Sequence, residues 1–188
     1  QEVLEEAGQD RERQRPVQRT VGAVGSASGQ LLSSLGVLED NQGRIFVGGG
    51  PTVPQLTRFN GTPAVEPIRA YAGLNSADGI RATAELAARE LERTGGLKRK
   101  VIAVATTTGT GWINEAEASA LEYMFNGDSA IVSMQYSFLP SWLSFLVDKE
   151  NARQAGQALF EAVDERLRAL PEAQRPKIVV FGESLGSF

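Results

Sequence analysis

The sequence predicts an α/β fold built on a parallel sheet. Three observations predict it. Short apolar runs free of helix and strand breakers recur at residues 101–105, 130–136 and 178–181. Between them lie stretches with apolar residues at helical spacing. Glycine and proline mark the joints. Strands alternating with amphipathic helices give crossover units, and crossover units give parallel sheets. Ligands of such sheets bind beyond the carboxyl ends of the strands. That rule singles out residues 106–112, 137–147 and 182–186.

Taken in order, residues 1–45 contain no Phe, Tyr or Trp. They open on mixed charges, pass through VGAVGSASG at 21–29, and reach a short apolar patch at 31–38. A segment so poor in large apolar side chains buries little by itself. Residues 1–45 are therefore expected to be a linker or loosely docked arm, with a helical subdomain as the alternative. Residues 46–188 are expected to be the amino-terminal part of an α/β domain.

Within that second part, 46–67 carries Gly48, Gly49, Gly50, Pro51, Pro54, Pro63 and Pro67 and is expected to be loop. Residues 67–72 have strand character. Asn75 or Ser76 is expected to cap a helix over 77–94, with Ile80, Ala84, Ala87 and Leu91 on its inner side. Gly95 and Gly96 end it. After the strand at 101–105, Asn114 with Glu117 resembles a capping box for a helix reaching 125. Gly127 and Asp128 break it before the strand at 130–136. A helix over 150–169 follows, with Ala155, Leu159, Val163 and Leu167 on one side. Pro171 and Pro176 bracket the next loop. The strand at 178–181 is expected to be central in the complete sheet, with neighbours on both sides, and to present an open edge and an uncovered apolar face in these 188 residues.

Composition excludes several functions. Of 188 residues, 41% are hydrophobic and 22% charged, as in ordinary globular domains. The net charge is 19 − 23 = −4, which argues against a general nucleic-acid surface. Cysteine is absent, so there is no disulfide, zinc-thiolate site or cysteine nucleophile. Histidine is absent too, so these 188 residues alone build neither a Ser-His-Asp triad nor a histidine metal site. No apolar run approaches the ~20 residues of a membrane helix, and the charged residues 1–14 do not form a signal peptide. A start without methionine and an end just past an apolar strand suggest a piece of a longer protein.

The third rim segment carries the sharpest signal. Gly182-Glu183-Ser184-Leu185-Gly186 has the form G-x-S-x-G directly after an apolar strand. A serine on a sharp strand-to-helix turn needs small residues two positions to either side, where bulk would meet neighbouring backbone. The turn lifts the hydroxyl above the sheet and aims the following N–H, that of Leu185, at a developing oxyanion. The alternative is an ordinary Gly-rich turn. The first rim segment, Thr106 to Trp112, begins a G-x-G-x-x-G at Gly109 and Gly111 but has Asn114 in the third place, and no lysine completes a phosphate loop. A Gly-rich loop here can instead supply a second oxyanion N–H from Thr107, Thr108 or Gly109; a plain connecting loop is the alternative. The second, 138–147, is the most apolar stretch of the chain. Phe138, Trp142 and Phe145 are candidates for an acyl-binding wall, a lid or a membrane-facing patch, with core packing of a short helix as the alternative.

Four stretches together resemble a known family. They are GRIFVGGGPT (43–52), EPIRAYAGLNSAD (66–78), TTTGTGWINEAEASALEYMFNGDSAIVSMQYSFLPSWLSFLVD (106–148) and FGESLGS (181–187). Residues 44–188 are similar to the α/β-hydrolase catalytic domain of actinobacterial membrane proteins, typified in mycobacteria and corynebacteria. The resemblance implies the amino-terminal half of an α/β-hydrolase fold, ending just after the nucleophile turn. It also implies a membrane region, and hence a place in the cell envelope, and a chain continuing past Phe188. The catalytic acid and histidine follow the serine in this fold, so both would lie beyond Phe188. The expected activity is a serine hydrolase on carboxylic, lipid-like esters, with Ser184 as nucleophile. No metal or organic cofactor is implied. Its partners would be an ester substrate and the remainder of the same domain, with no nucleic acid. The alternative is a non-catalytic hydrolase-like scaffold in a membrane assembly.

Overall fold

A computed structural model describes residues 21–23, 41–137 and 149–187. Among these, the first element is the short strand β1, Val21–Ala23. Two helices follow: α1, Asn41–Gly48, which runs into the expected loop at 46–67, and α2, Val53–Asn60, which lies within it. The glycines and prolines of 46–67 mark helix ends here. Pro54 lies in the first turn of α2, where the missing N–H costs nothing. Gln55 reaches back, its Oε1 accepting from the Thr52 N–H at 2.8 Å and the Thr52 hydroxyl at 2.9 Å. Gly61 closes the helix at φ 68°. α1 also runs across residue 45, where the composition changes.

The remaining elements are β2 (Ile68–Ala72), α3 (Ile80–Arg93), β3 (Val101–Thr106), α4 (Glu115–Met124), β4 (Ser129–Met134), α5 (Lys149–Arg168) and β5 (Lys177–Gly182). The expected cap of α3 at Asn75 or Ser76 is not the one used. The Ser76 N–H turns back to the Gly73 carbonyl at 3.1 Å. The helix starts instead on Gly79, at φ 86°, whose carbonyl accepts from both the N–H and the hydroxyl of Thr83 at 3.0 Å. A backbone turn has replaced a side-chain cap.

The strands form one sheet in the order β1-β2-β4-β3-β5. β2, β4, β3 and β5 are parallel, as crossover connections through α3, α4 and α5 require. β1 pairs antiparallel on the outer side of β2. The registers Ala72↔Met134, Thr106↔Met134 and Thr106↔Gly182 bring the carboxyl ends of four strands level, so their loops share one rim.

Alternation along the strands divides the core into two layers. Ile102, Val104, Ala130 and Val132 pack with the inner faces of α3 and α5, including Leu91, Leu159 and Val163. Ala103, Ala105, Ile131 and Tyr71 face the other way, onto Phe46 and Val47 of α1 and Ala118 and Leu121 of α4. Truncating a fully buried Leu159 to alanine is worth about 2–5 kcal/mol.

A buried ion cluster fastens the second layer. The Arg69 guanidinium on β2 makes two bonds to Glu122 of α4, at 2.7 and 2.9 Å, and one to Glu115 at 2.8 Å. It also donates to the Phe46 carbonyl at 2.7 Å and stacks over the Phe46 ring. Full burial pushes the Glu122 carboxyl up, and the bidentate guanidinium opposes that. Gly50, at φ 94°, leaves the space into which this guanidinium presses.

β5 lies at the edge of the described sheet and pairs with β3 alone among the described residues. Ile178, Val179 and Val180 are 37%, 38% and 57% exposed. An apolar run reports that a strand has faces worth burying. It does not report which neighbour covers them.

Candidate active site

The rim loops after β3 and β5 meet at one point. β5 delivers Gly182, and the chain turns through Glu183 into a short 3₁₀ turn, Ser184–Ser187. Ser184 is exposed and has φ +54°, a conformation costly for any residue with a Cβ. The surrounding contacts enforce it. A Cβ on Gly182 would collide with the Gly186 carbonyl and the Thr106 hydroxyl, and one on Gly186 with the backbone of Thr106. The Thr106 hydroxyl lies within hydrogen-bond reach of both the Phe181 and Gly186 carbonyls, bracketing the turn. The Gly186 N–H closes it on the Glu183 carbonyl at 2.8 Å. Among the described residues the Ser184 hydroxyl has no hydrogen-bond partner.

The loop after β3 is pinned from three sides. Tyr71 donates to the Gly111 carbonyl at 2.9 Å, and a Cβ on Gly111, at φ 83°, would strike that phenol oxygen. Gln135, just past β4, donates to the Thr110 carbonyl at 3.3 Å and the Ser137 carbonyl at 2.9 Å. The Thr107 hydroxyl donates to the Met134 carbonyl at 3.0 Å.

These bonds sort the candidate oxyanion donors. The Thr108 N–H is committed to the Trp112 carbonyl at 3.1 Å. The N–H groups of Thr107, Gly109 and Leu185 have no acceptor among the described residues. Phe138, Trp142 and Phe145 lie outside the described residues, so the structure places none of them. Beside Gly182 and Gly186 a groove of about 560 Å³ opens between α5 and β5, with Phe160 and Phe181 among its walls. Ser184 is next to this groove and does not line it.

The rim also holds residues the sequence did not single out for the site. Asn114 caps α4 as expected, its Oδ1 accepting from the N–H groups of Ala116 at 2.9 Å and Glu117 at 3.4 Å. Its Nδ2 donates to Glu183 Oε1 at 2.6 Å. The Glu117 carboxyl, expected to complete the cap, makes no reciprocal bond to the Asn114 N–H among the described residues. Desolvation, then the Glu183 charge and its hydrogen bond, push the Glu117 carboxyl up. The signal for Asn114 was present in the capping pattern. That for Glu183 was hidden in a variable position of the motif.

Residues 68–188 match the model of an alpha/beta-hydrolase family. The chain belongs to that family. No curated protein matches it, and no solved structure matches it. In this alpha/beta-hydrolase the matched region begins at β2 and takes in every element of the rim. Among the described residues no group of three or more acidic side chains is gathered into a metal-ligating cluster, and no helix is long and apolar enough to cross a membrane.

Proposed function

We propose that this alpha/beta-hydrolase is a serine hydrolase acting on carboxylic esters, with Ser184 as nucleophile. The observation that carries the proposal is the backbone of Ser184. It holds a positive φ on a turn directly after β5, between two glycines pressed against Thr106. Strain maintained by surrounding contacts is typical of groups that react. Ser184 attacks the ester carbonyl. The Leu185 N–H, with that of Thr107 or Gly109, receives the oxyanion. With histidine absent, the proton goes to a histidine outside these 188 residues, oriented by an acid also outside them. No metal takes part in this scheme.

A fluorophosphonate probe should label the full-length protein, and Ser184→Ala should abolish labelling. Equal labelling of the variant removes Ser184 from the mechanism. The apolar stretch 138–147 supports a lipid-like acyl substrate. Trp142→Ala should then weaken turnover of long-chain esters more than of acetyl esters, because each buried methylene is worth about 0.8 kcal/mol. Equal losses would overturn the acyl-wall role. A lipid-like substrate fits a protein held at the cell envelope by a membrane region outside this chain; recovery of the full-length protein wholly in the soluble fraction would overturn that placement. One observation favours a second reading, a non-catalytic hydrolase-like scaffold: the 188 residues contain no histidine. A wild-type protein that resists the probe would favour it.

A further inference from the structure

We infer that Glu183 and Asn114 form a positioning tether that holds the serine turn against the amino-terminus of α4. The inference rests on Ser184 being the nucleophile and adds the device that fixes its place. Asn114 does two things at once. Its Oδ1 is occupied by the N–H groups of Ala116 and Glu117, which leaves only Nδ2 to face the turn. That amide donates to Glu183 Oε1 at 2.6 Å, a short bond to a charged acceptor. The helix cap therefore sets the direction of the tether. Glu183 is half-buried and adjoins Ser184 in the chain, so holding its carboxylate restrains the backbone whose φ is +54°. The other side of the turn is held separately, by the Thr106 hydroxyl. Neither Asn114 nor Glu183 reacts; both act through the position of Ser184.

The direction of the Asn114 bond makes the tether testable by exchange. Asn114→Asp keeps an acceptor for the helix N–H groups, and aspartate is as good a cap as asparagine. It removes the donor and sets a carboxylate against Glu183. Adding Glu183→Gln restores one bond with donor and acceptor exchanged. The measurements are the fluorophosphonate labelling rate, kcat and KM with p-nitrophenyl acetate, and the thermal midpoint, all on the full-length protein. Asn114→Asp is expected to lower labelling and kcat by about 10- to 100-fold, the scale of a small misplacement of reacting groups. KM should change little, and the double variant should recover most of the loss. Labelling by Asn114→Asp at the wild-type rate overturns the tether. So does a loss that the second substitution fails to repair, since a merely structural role would not be rescued by the exchange. Should Asn114→Asp not fold, Asn114→Ser keeps the cap and is too short to reach Glu183; a wild-type labelling rate in that variant also overturns the tether. Failure of the nucleophile assignment looks different. Wild-type protein would then resist the probe, or Ser184→Ala would label equally, and the tether would fall with it.

Discussion

Ser184 has little freedom because its neighbours have none. The two glycines of the turn are required by contact: a Cβ at either position meets backbone, which cannot move aside as a flexible side chain can. Gly186→Ala should therefore displace the turn from Thr106. We expect labelling of Ser184 to fall at least about 10-fold, with a stability loss of about 1–3 kcal/mol from the forced shift. Labelling kinetics and urea denaturation read the two effects. An alanine variant that labels normally would show that the turn tolerates another path. The same residue-by-residue geometry separates the three loop candidates. Thr108 spends its N–H inside its own loop, whereas Thr107 and Gly109 keep theirs.

Helices and strands act here as mounts for the rim. β2 does so twice, through Tyr71, which pins the loop after β3, and through Arg69, which locks α1 and α4 to the sheet. Breaking a buried ion pair from one side leaves the other charge stranded, at about 3–5 kcal/mol. Arg69→Met should cost stability on that scale by chemical denaturation, because Glu122 is fully buried. The double variant with Glu122→Leu should regain much of it. A single variant within about 0.5 kcal/mol of wild type would mean that the cluster contributes nothing net. Since α4 also carries Asn114, loosening this cluster should slow Ser184 labelling as well.

Across the whole molecule, the sheet brings together rim residues that are far apart in sequence. Residues 1–188 contain the serine and no histidine. Expressed by themselves they should hydrolyse p-nitrophenyl acetate only at a residual rate, since a site missing a triad member keeps about 10³–10⁴-fold over water. Serine-dependent turnover at an ordinary enzymatic rate would overturn the mechanism. The described sheet also ends on β5 with apolar side chains facing outward, an arrangement that favours association. The same chain should elute from a sizing column as oligomer or aggregate; a clean monomer would mean that the exposed edge is tolerated.

The sequence by itself determined the fold class and the strands of the parallel sheet. Apolar-run and helical-spacing signals come from side-chain direction along the backbone, which is local. It also determined the cap at Asn114 and the placement of the serine turn after β5, because a cap and a tight turn need particular residues within a few positions. It misread 46–67, where glycine and proline bounded helices and did not replace them: Pro54 fits a first helical turn as well as a loop, and only packing of Phe46 and Leu56 decides between the two. Tertiary structure alone decided the strand order, the Arg69–Glu122 pairing across 53 residues, and the meeting of Asn114 with Glu183 across 69. The physical reason is range. Hydrogen bonds between distant segments leave no periodicity, since either partner by itself is an ordinary polar residue, and only the order and register of the strands bring them within reach.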